Sequence, residues 1–222
     1  MQVSWGKNIF TKMVYPIGKI IVPAVIRPWI KEVNGLSNVP KNGHFIIAAN
    51  HASYMDHFII MCTLVPYLNK KIHHLAKKEH FDNILKKIWH SYVGAVPIDR
   101  RTGGKKAMKW AVKALKEGRI IAIHPEGTRS LTGKLQEAKT GVARLALLSK
   151  VPVVPIGLIG TFDIMPKGKY IPRLKKAAMN IGKPMHFDKY YGKKINKGIL
   201  REVTTNIMKE IAGLCNQKYN FR

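Results

Sequence analysis

From residue 44 onward the chain alternates short apolar runs of strand length with longer segments of helical period. This rhythm constrains the fold more than any other feature of the sequence. The segments His44 to Ala49, Ile72 to Ala76, Val93 to Ile98, Arg119 to His124 and Val153 to Leu158 read as strands. Between them Ser53 to Val65, Phe81 to Tyr92, Lys105 to Glu117 and Lys139 to Lys150 read as helices. Alternation of this kind implies a largely parallel sheet with helices on its faces, and loops that carry function are expected along one edge of it. A further strand is predicted over Ala178 to Gly182. A closing helix from Lys197 places Leu200, Val203, Ile207, Ile211 and Leu214 on one stripe. The run Val151 to Gly157 has a buried-strand pattern whose prolines are expected at its ends. The expected fold class is α/β: a single domain, residues 39–222, with a mostly parallel sheet flanked by helices.

Residues 1–38 are expected to form a separate N-terminal segment. Ile9 to Trp29 are rich in apolar side chains, and Lys12, Lys19, Arg27 and Lys31 fall within an arc of roughly 120° when plotted as a helix. The longest charge-free run, Ile20 to Ile26, is far short of the ~20 residues of a spanning helix, and Pro16, Pro23 and Pro28 interrupt the segment further. No small-residue cleavage site marks it as a secretory signal. An amphipathic helical segment lying in the interface of an anionic membrane fits this pattern, as does a helix packed on the protein's own core. The first reading places the protein on the cytoplasmic face of a membrane, peripheral or monotopic.

Charge supports a polyanionic partner: 39 Lys and Arg face 12 Asp and Glu, for a formal net charge of +27. Such a surface attracts an anionic bilayer, phosphorylated substrates, acidic proteins or nucleic acid. A basic nucleic-acid-binding protein is therefore one reading, although no RNA- or DNA-binding signature is present. A metal hydrolase is another, given nine His, but none has metal-ligand spacing such as His-Glu-x-x-His. Neither a metal nor a cofactor is expected. Cys62 and Cys215 sit in apolar helical contexts and read as buried thiols of a reducing compartment.

The chemistry concentrates in three strand-end turns. Asn50 to Asp56, Asn-His-Ala-Ser-Tyr-Met-Asp, lies where a strand gives way to a helix. Ser53 and Asp56 have capping-box spacing, which leaves His51 in the turn, free to fold back onto the Asp56 carboxylate. A carboxylate that fixes an imidazole tautomer makes a general base. No partner nucleophile is evident, so the hydroxyl being activated would belong to a substrate. The same residues also fit a helix cap beside a polar loop histidine. Further on, Asp99 to Lys106 is a cationic turn opening a helix, with Arg100 suited to phosphate and Lys105 and Lys106 suited to a solvated helix start. The turn His124 to Ser130 exposes a carboxylate, a hydroxyl and a guanidinium together, or forms a structural Glu126–Arg129 ion pair.

Four blocks now stand in one order: Asn50-His51 through Asp56, Gly94 to Arg100, Pro125 to Ser130, and Val151 to Pro155. Together they resemble the four motifs of the glycerolipid acyltransferases, the 1-acylglycerol-3-phosphate (lysophosphatidate) acyltransferases and relatives. The likeness runs from about Phe45 to Leu158 and includes Leu75 to Glu79. It implies that His51 and Asp56 are the catalytic pair, and that Arg100, Glu126, Gly127, Thr128 and Arg129, with Lys77, bind substrate. It implies an acyl-CoA or acyl carrier protein (acyl-ACP) donor and a lysophosphatidic acid acceptor. Backbone amides around Ser53 or Gly127 are candidates for steadying the oxyanion. Two positions depart from the usual pattern, Pro97 and His124, each where the family commonly has Phe. They bear on acceptor or acyl-chain fit.

Overall fold

A computed structural model describes residues 20–77, 94–98 and 104–221 of the chain. Seven strands form one sheet: β1 (Ile30–Asn34), β2 (Ile46–Ala49), β3 (Ile72–Lys77), β4 (Ala95–Ile98), β5 (Ile120–Ile123), β6 (Val153–Ile159) and β7 (Ala177–Ile181), in the order β1-β7-β6-β2-β5-β3-β4. All neighbours are parallel except β6 and β7. The helices are α1 (Met55–Leu68), α2 (Lys105–Lys116), α3 (Gly141–Ser149), the single turn α4 (Thr161–Ile164) and α5 (Lys197–Leu214). The helix expected over Phe81 to Tyr92 lies outside the described residues, as do residues 1–19 of the N-terminal segment.

Alternation along the strands divides the core in two. Ile46, Ala48, Ile121 and Val153 pack on one face with α2, α3 and α5, whereas Ile47, Ala49, Ile120, Ala122, Val154 and Ile156 pack on the other with α1. Because both faces are covered, every residue of β2 is buried, which is why the strand reads as an unbroken apolar run. On α2 the residues Ala111, Ala114 and Leu115 are buried while Lys105, Lys106, Lys109, Lys113 and Lys116 are exposed, so the expected solvated start is observed. The stripe of α5 is buried at Leu200, Val203, Ile207 and Ile211, and its first turn is capped by the Asn196 side chain, which accepts the Ile199 N–H at 2.9 Å.

Two expectations need correction. The segment boundary at residue 38 is not a boundary of the sheet: β1 pairs in parallel with β7, so residues 30–34 extend the sheet and only the part before them can be a separate element. The charges of Lys31 and Glu32 masked this strand, since an edge strand tolerates exposed charge. Pro155 is not at a strand end but inside β6, opposite Ala48 of β2. The neighbouring β7 side explains it. Val153 exchanges both backbone bonds with Met185, Pro155 faces the same side and takes the Gly182 N–H on its carbonyl at 2.9 Å, and its missing donor falls in the irregular interval between them.

Among the described residues no helix is long and apolar enough to cross a membrane.

Candidate active site

The turns that follow β2 and β5 leave the carboxyl ends of neighbouring parallel strands and meet at one edge of the sheet. After Ala49, Asn50 continues the pairing with its side chain, donating to the Leu158 carbonyl at 3.0 Å and accepting the Leu158 N–H at 2.8 Å. The backbone is thereby released from the ladder at His51. That residue is held from both sides: its N–H donates to Glu126 Oε1 at 2.7 Å, and its carbonyl accepts the Ser130 N–H at 2.8 Å.

His51 Nδ1 lies 2.9 Å from Asp56 Oδ2. The same oxygen accepts the N–H groups of Ala52 and Ser53, each at 2.8 Å. An oxygen already serving two backbone donors is an acceptor, so the Nδ1 between them carries the proton and Nε2 presents its lone pair. Asp56 is fully buried, while the His51 side chain keeps 21% of its surface in solvent. Burial would raise the Asp56 pKa, but the hydrogen bond and charge of His51, with smaller help from His124 and Thr161, hold it below the ordinary carboxylate value. The result is an ionised aspartate behind an accessible imidazole.

The Ser53–Asp56 spacing implied a capping box, and only one half of it is made: Asp56 takes the Ser53 N–H, whereas Tyr54 holds the N-cap position of α1 without a side-chain cap bond, one residue after Ser53. The Ser53 Oγ accepts the Met55 N–H at 3.0 Å and donates to the Met165 carbonyl at 2.7 Å. The hydroxyl is therefore not a nucleophile aligned with His51. The amides considered for an oxyanion site are committed as well: Ser53 N–H to Asp56, and Gly127 N–H to the His124 carbonyl at 3.0 Å. Gly127 instead supplies the turn, at φ 70°, that brings the Glu126 carboxylate under His51.

Glu126 and Arg129 form no ion pair. Glu126 is buried and spends its second oxygen on the Gln136 backbone N–H at 2.9 Å and side-chain amide at 3.1 Å. Burial pushes its pKa up, opposed by the bonds from His51 and Gln136. Its work is to position the His51 backbone. The Arg129 guanidinium lies 3.5 Å from the centre of the Tyr54 ring, three residues from His51, with its buried Nη1 unpartnered among the described residues. A half-buried guanidinium with an unspent donor, stacked on Tyr54, is suited to a phosphate. Thr128 is exposed, with its carbonyl accepting the Gln136 amide at 2.9 Å. Lys77 is the last residue of β3, and β4 ends at Ile98. Arg100 lies outside the described residues.

Sequence reasoning did not foresee the role of His124. Its ring stacks on His51 with centroids 3.9 Å apart and planes 8° from parallel. Its Nδ1 faces the carbonyls of Ala49 and Asn50, both at 3.0 Å, and so must be the protonated nitrogen. Burial first, and then the charge of His51, lowers its pKa to about 4. It is a neutral partner of the stack. The signal was present in the sequence as a departure from Phe, a ring that could stack equally but could not donate.

The family model described as acyltransferase matches residues 31–159. The chain belongs to the acyltransferase family. It is 33% identical over 155 residues to the 1-acyl-sn-glycerol-3-phosphate acyltransferase of Bacillus subtilis, covering 70% of this chain and 73% of that one. It is 31% identical over 178 residues to the chloroplastic 1-acyl-sn-glycerol-3-phosphate acyltransferase of Arabidopsis thaliana, covering 78% of this chain and 49% of the relative. The crystal structure of the 1-acyl-sn-glycerophosphate acyltransferase of Thermotoga maritima has the same fold, with a TM-score of 0.72, 25% identity, and coverage of 95% of this chain and 83% of that one. Like the family, the chain is an O-acyltransferase.

Proposed function

We propose that the protein transfers a fatty acyl group from an acyl thioester to the free hydroxyl of 1-acylglycerol-3-phosphate, giving phosphatidic acid. The observation that carries this reading is the 2.9 Å contact between His51 Nδ1 and a buried Asp56 oxygen already fixed by two backbone donors. His51 Nε2 takes the proton of the acceptor hydroxyl as its oxygen attacks the thioester carbonyl. Asp56 steadies the imidazolium so formed. Collapse of the tetrahedral intermediate breaks the carbon–sulfur bond, and the departing thiolate recovers the proton from His51. Arg129 receives the acceptor phosphate, and Arg100 and Lys77 are proposed as further substrate-binding residues. Relatives that bear the name of this reaction support the choice of acceptor. The donor is acyl-CoA or acyl-ACP, both anionic and both attracted by a chain of net charge +27. The work is done at the cytoplasmic face of an anionic membrane.

The test is incubation of the protein with lysophosphatidate and radiolabelled acyl-CoA, followed by separation of lipids. Phosphatidate is the expected product, and His51→Ala should lower its formation by about 10²-fold or more. Wild-type turnover by that variant defeats the assignment. Labelled product from glycerol 3-phosphate or another lysophospholipid, but not from lysophosphatidate, would keep the chemistry and replace the acceptor.

A further inference from the structure

The chain between α4 and β7 carries side chains that the reaction does not use. Tyr170, Ile171 and Leu174 are 78%, 84% and 93% exposed, the most solvent-facing large apolar groups among the described residues. They stand in residues 165–176, a stretch with five Lys and Arg and no carboxylate. All five cations are exposed. Three nearly fully exposed apolar side chains within five positions are costly in water and ask for a partner.

The loop is not slack chain. At its base the Ser53 hydroxyl donates to the Met165 carbonyl at 2.7 Å, and the Tyr54 N–H donates to the same carbonyl at 3.2 Å. Farther along, the Arg173 N–H donates to the Ile164 carbonyl at 2.9 Å. The Trp29 indole N–H donates to the Arg173 carbonyl, also at 2.9 Å. Trp29 follows the helical residues 20–26, where Ile20, Ile21 and Val25 are likewise exposed, at 74%, 55% and 58%. Two apolar projections are thus tied together at one place. The loop also reaches the site, because the Tyr170 ring lies 5.7 Å from the Tyr54 ring, over which Arg129 is stacked.

We propose that the 165–176 loop is a bilayer-docking element: Tyr170, Ile171 and Leu174 enter an anionic lipid surface, the surrounding cations meet its headgroups, and the His51 site is thereby held at the depth of a membrane-borne acceptor. An apolar tip ringed by cations matches an anionic interface in both chemistries, whereas an acidic protein would match only the cations. Side chains this exposed suit a fluid surface that closes around each one. Holding the His51 site at that depth rests on the acyl-transfer reading; docking itself does not.

The experiment uses the full chain with vesicles of equal parts phosphatidylglycerol and phosphatidylcholine. The double variant Ile171→Glu, Leu174→Glu should partition to them about tenfold or more weakly than wild type, since two inserted apolar groups become charged. Turnover of bilayer-presented lysophosphatidate should fall with it. Turnover of a short-chain, water-soluble lysophosphatidate should stay at the wild-type level. In Leu174→Trp, which keeps an apolar side chain, the added indole should be quenched by brominated lipid. Unchanged partitioning of the double variant, or no quenching, overturns the proposal. So does an equal loss on the short-chain acceptor, which would make the loop part of the catalytic frame. Loss of acyl carrier protein binding with vesicle binding intact would assign the patch to a protein instead and overturn it likewise. A wild-type protein that acylates neither acceptor sinks the acyl-transfer reading, while partitioning still decides the docking.

Discussion

Replacing His124 by Phe separates two contributions of this side chain that coincide in the wild type. Phe can still stack on His51, but it can neither donate to the carbonyls of Ala49 and Asn50 nor take up a proton. The lost hydrogen bond should make the variant about 1 kcal/mol less stable at neutral pH. The pH dependence should move the other way. An unfolded histidine titrates at its ordinary value of 6.5, whereas His124 in the fold titrates at about 4. As pH falls through this window the unfolded chain binds a proton that the folded chain refuses, so stability declines with acidification and levels off below about 4. The gap converts to ~3 kcal/mol at most. His73, also lowered chiefly by burial, adds to the decline in both proteins and cancels in the comparison. Urea unfolding followed by circular dichroism between pH 7 and pH 4 should show a shallower decline in His124→Phe, the difference approaching that figure. Parallel curves for the two proteins would refute the assignment of a neutral, Nδ1-protonated ring against His51.

Asp56→Asn should lower kcat by about 10²-fold or more with acceptor KM little changed, because an amide no longer selects the imidazole tautomer. Unfolding should show a loss of about 2 kcal/mol from the disturbed amides of Ala52 and Ser53, and full activity in this variant would refute the base assignment. Arg129→Ala should raise the acceptor KM about tenfold or more, with a smaller effect on the donor KM, in steady-state assays varying each substrate. Glu126→Ala should cost about tenfold in kcat by freeing the His51 backbone, while Glu126→Gln, which still offers an acceptor to that N–H, should retain most activity. Gly157→Ala should cost about 2 kcal/mol in a denaturant titration, since a methyl group there would stand 2.5 Å from the backbone of Leu214 at the end of α5.

The sheet, its parallel sense and the helices on its faces were legible because each depends on a local period. Apolar runs such as Ile46–Ala49 and stripes such as Leu200–Ile211 carry their burial in their own spacing. The meeting of His51 with Asp56 was legible for the same reason, since both partners lie within one turn and its helix cap. β1 was not, because the pairing that makes a strand of Ile30–Asn34 is supplied by β7, far along the chain. Nor was the interior place of Pro155, which depends on where the ladder to β7 becomes irregular.

By itself, then, the sequence determined the α/β class, the order of the motifs and the His–Asp pair, all properties of residues near one another in the chain. Tertiary structure alone decided how those motifs serve each other. Placing β5 beside β2 lets Glu126 grip the His51 amide and His124 stack on its ring across more than 70 residues of separation. It likewise frees Arg129 from an ion pair with Glu126 and lays it on Tyr54. Sequence spacing cannot express such contacts, because they follow from strand order, and strand order is settled by which apolar faces can be buried together.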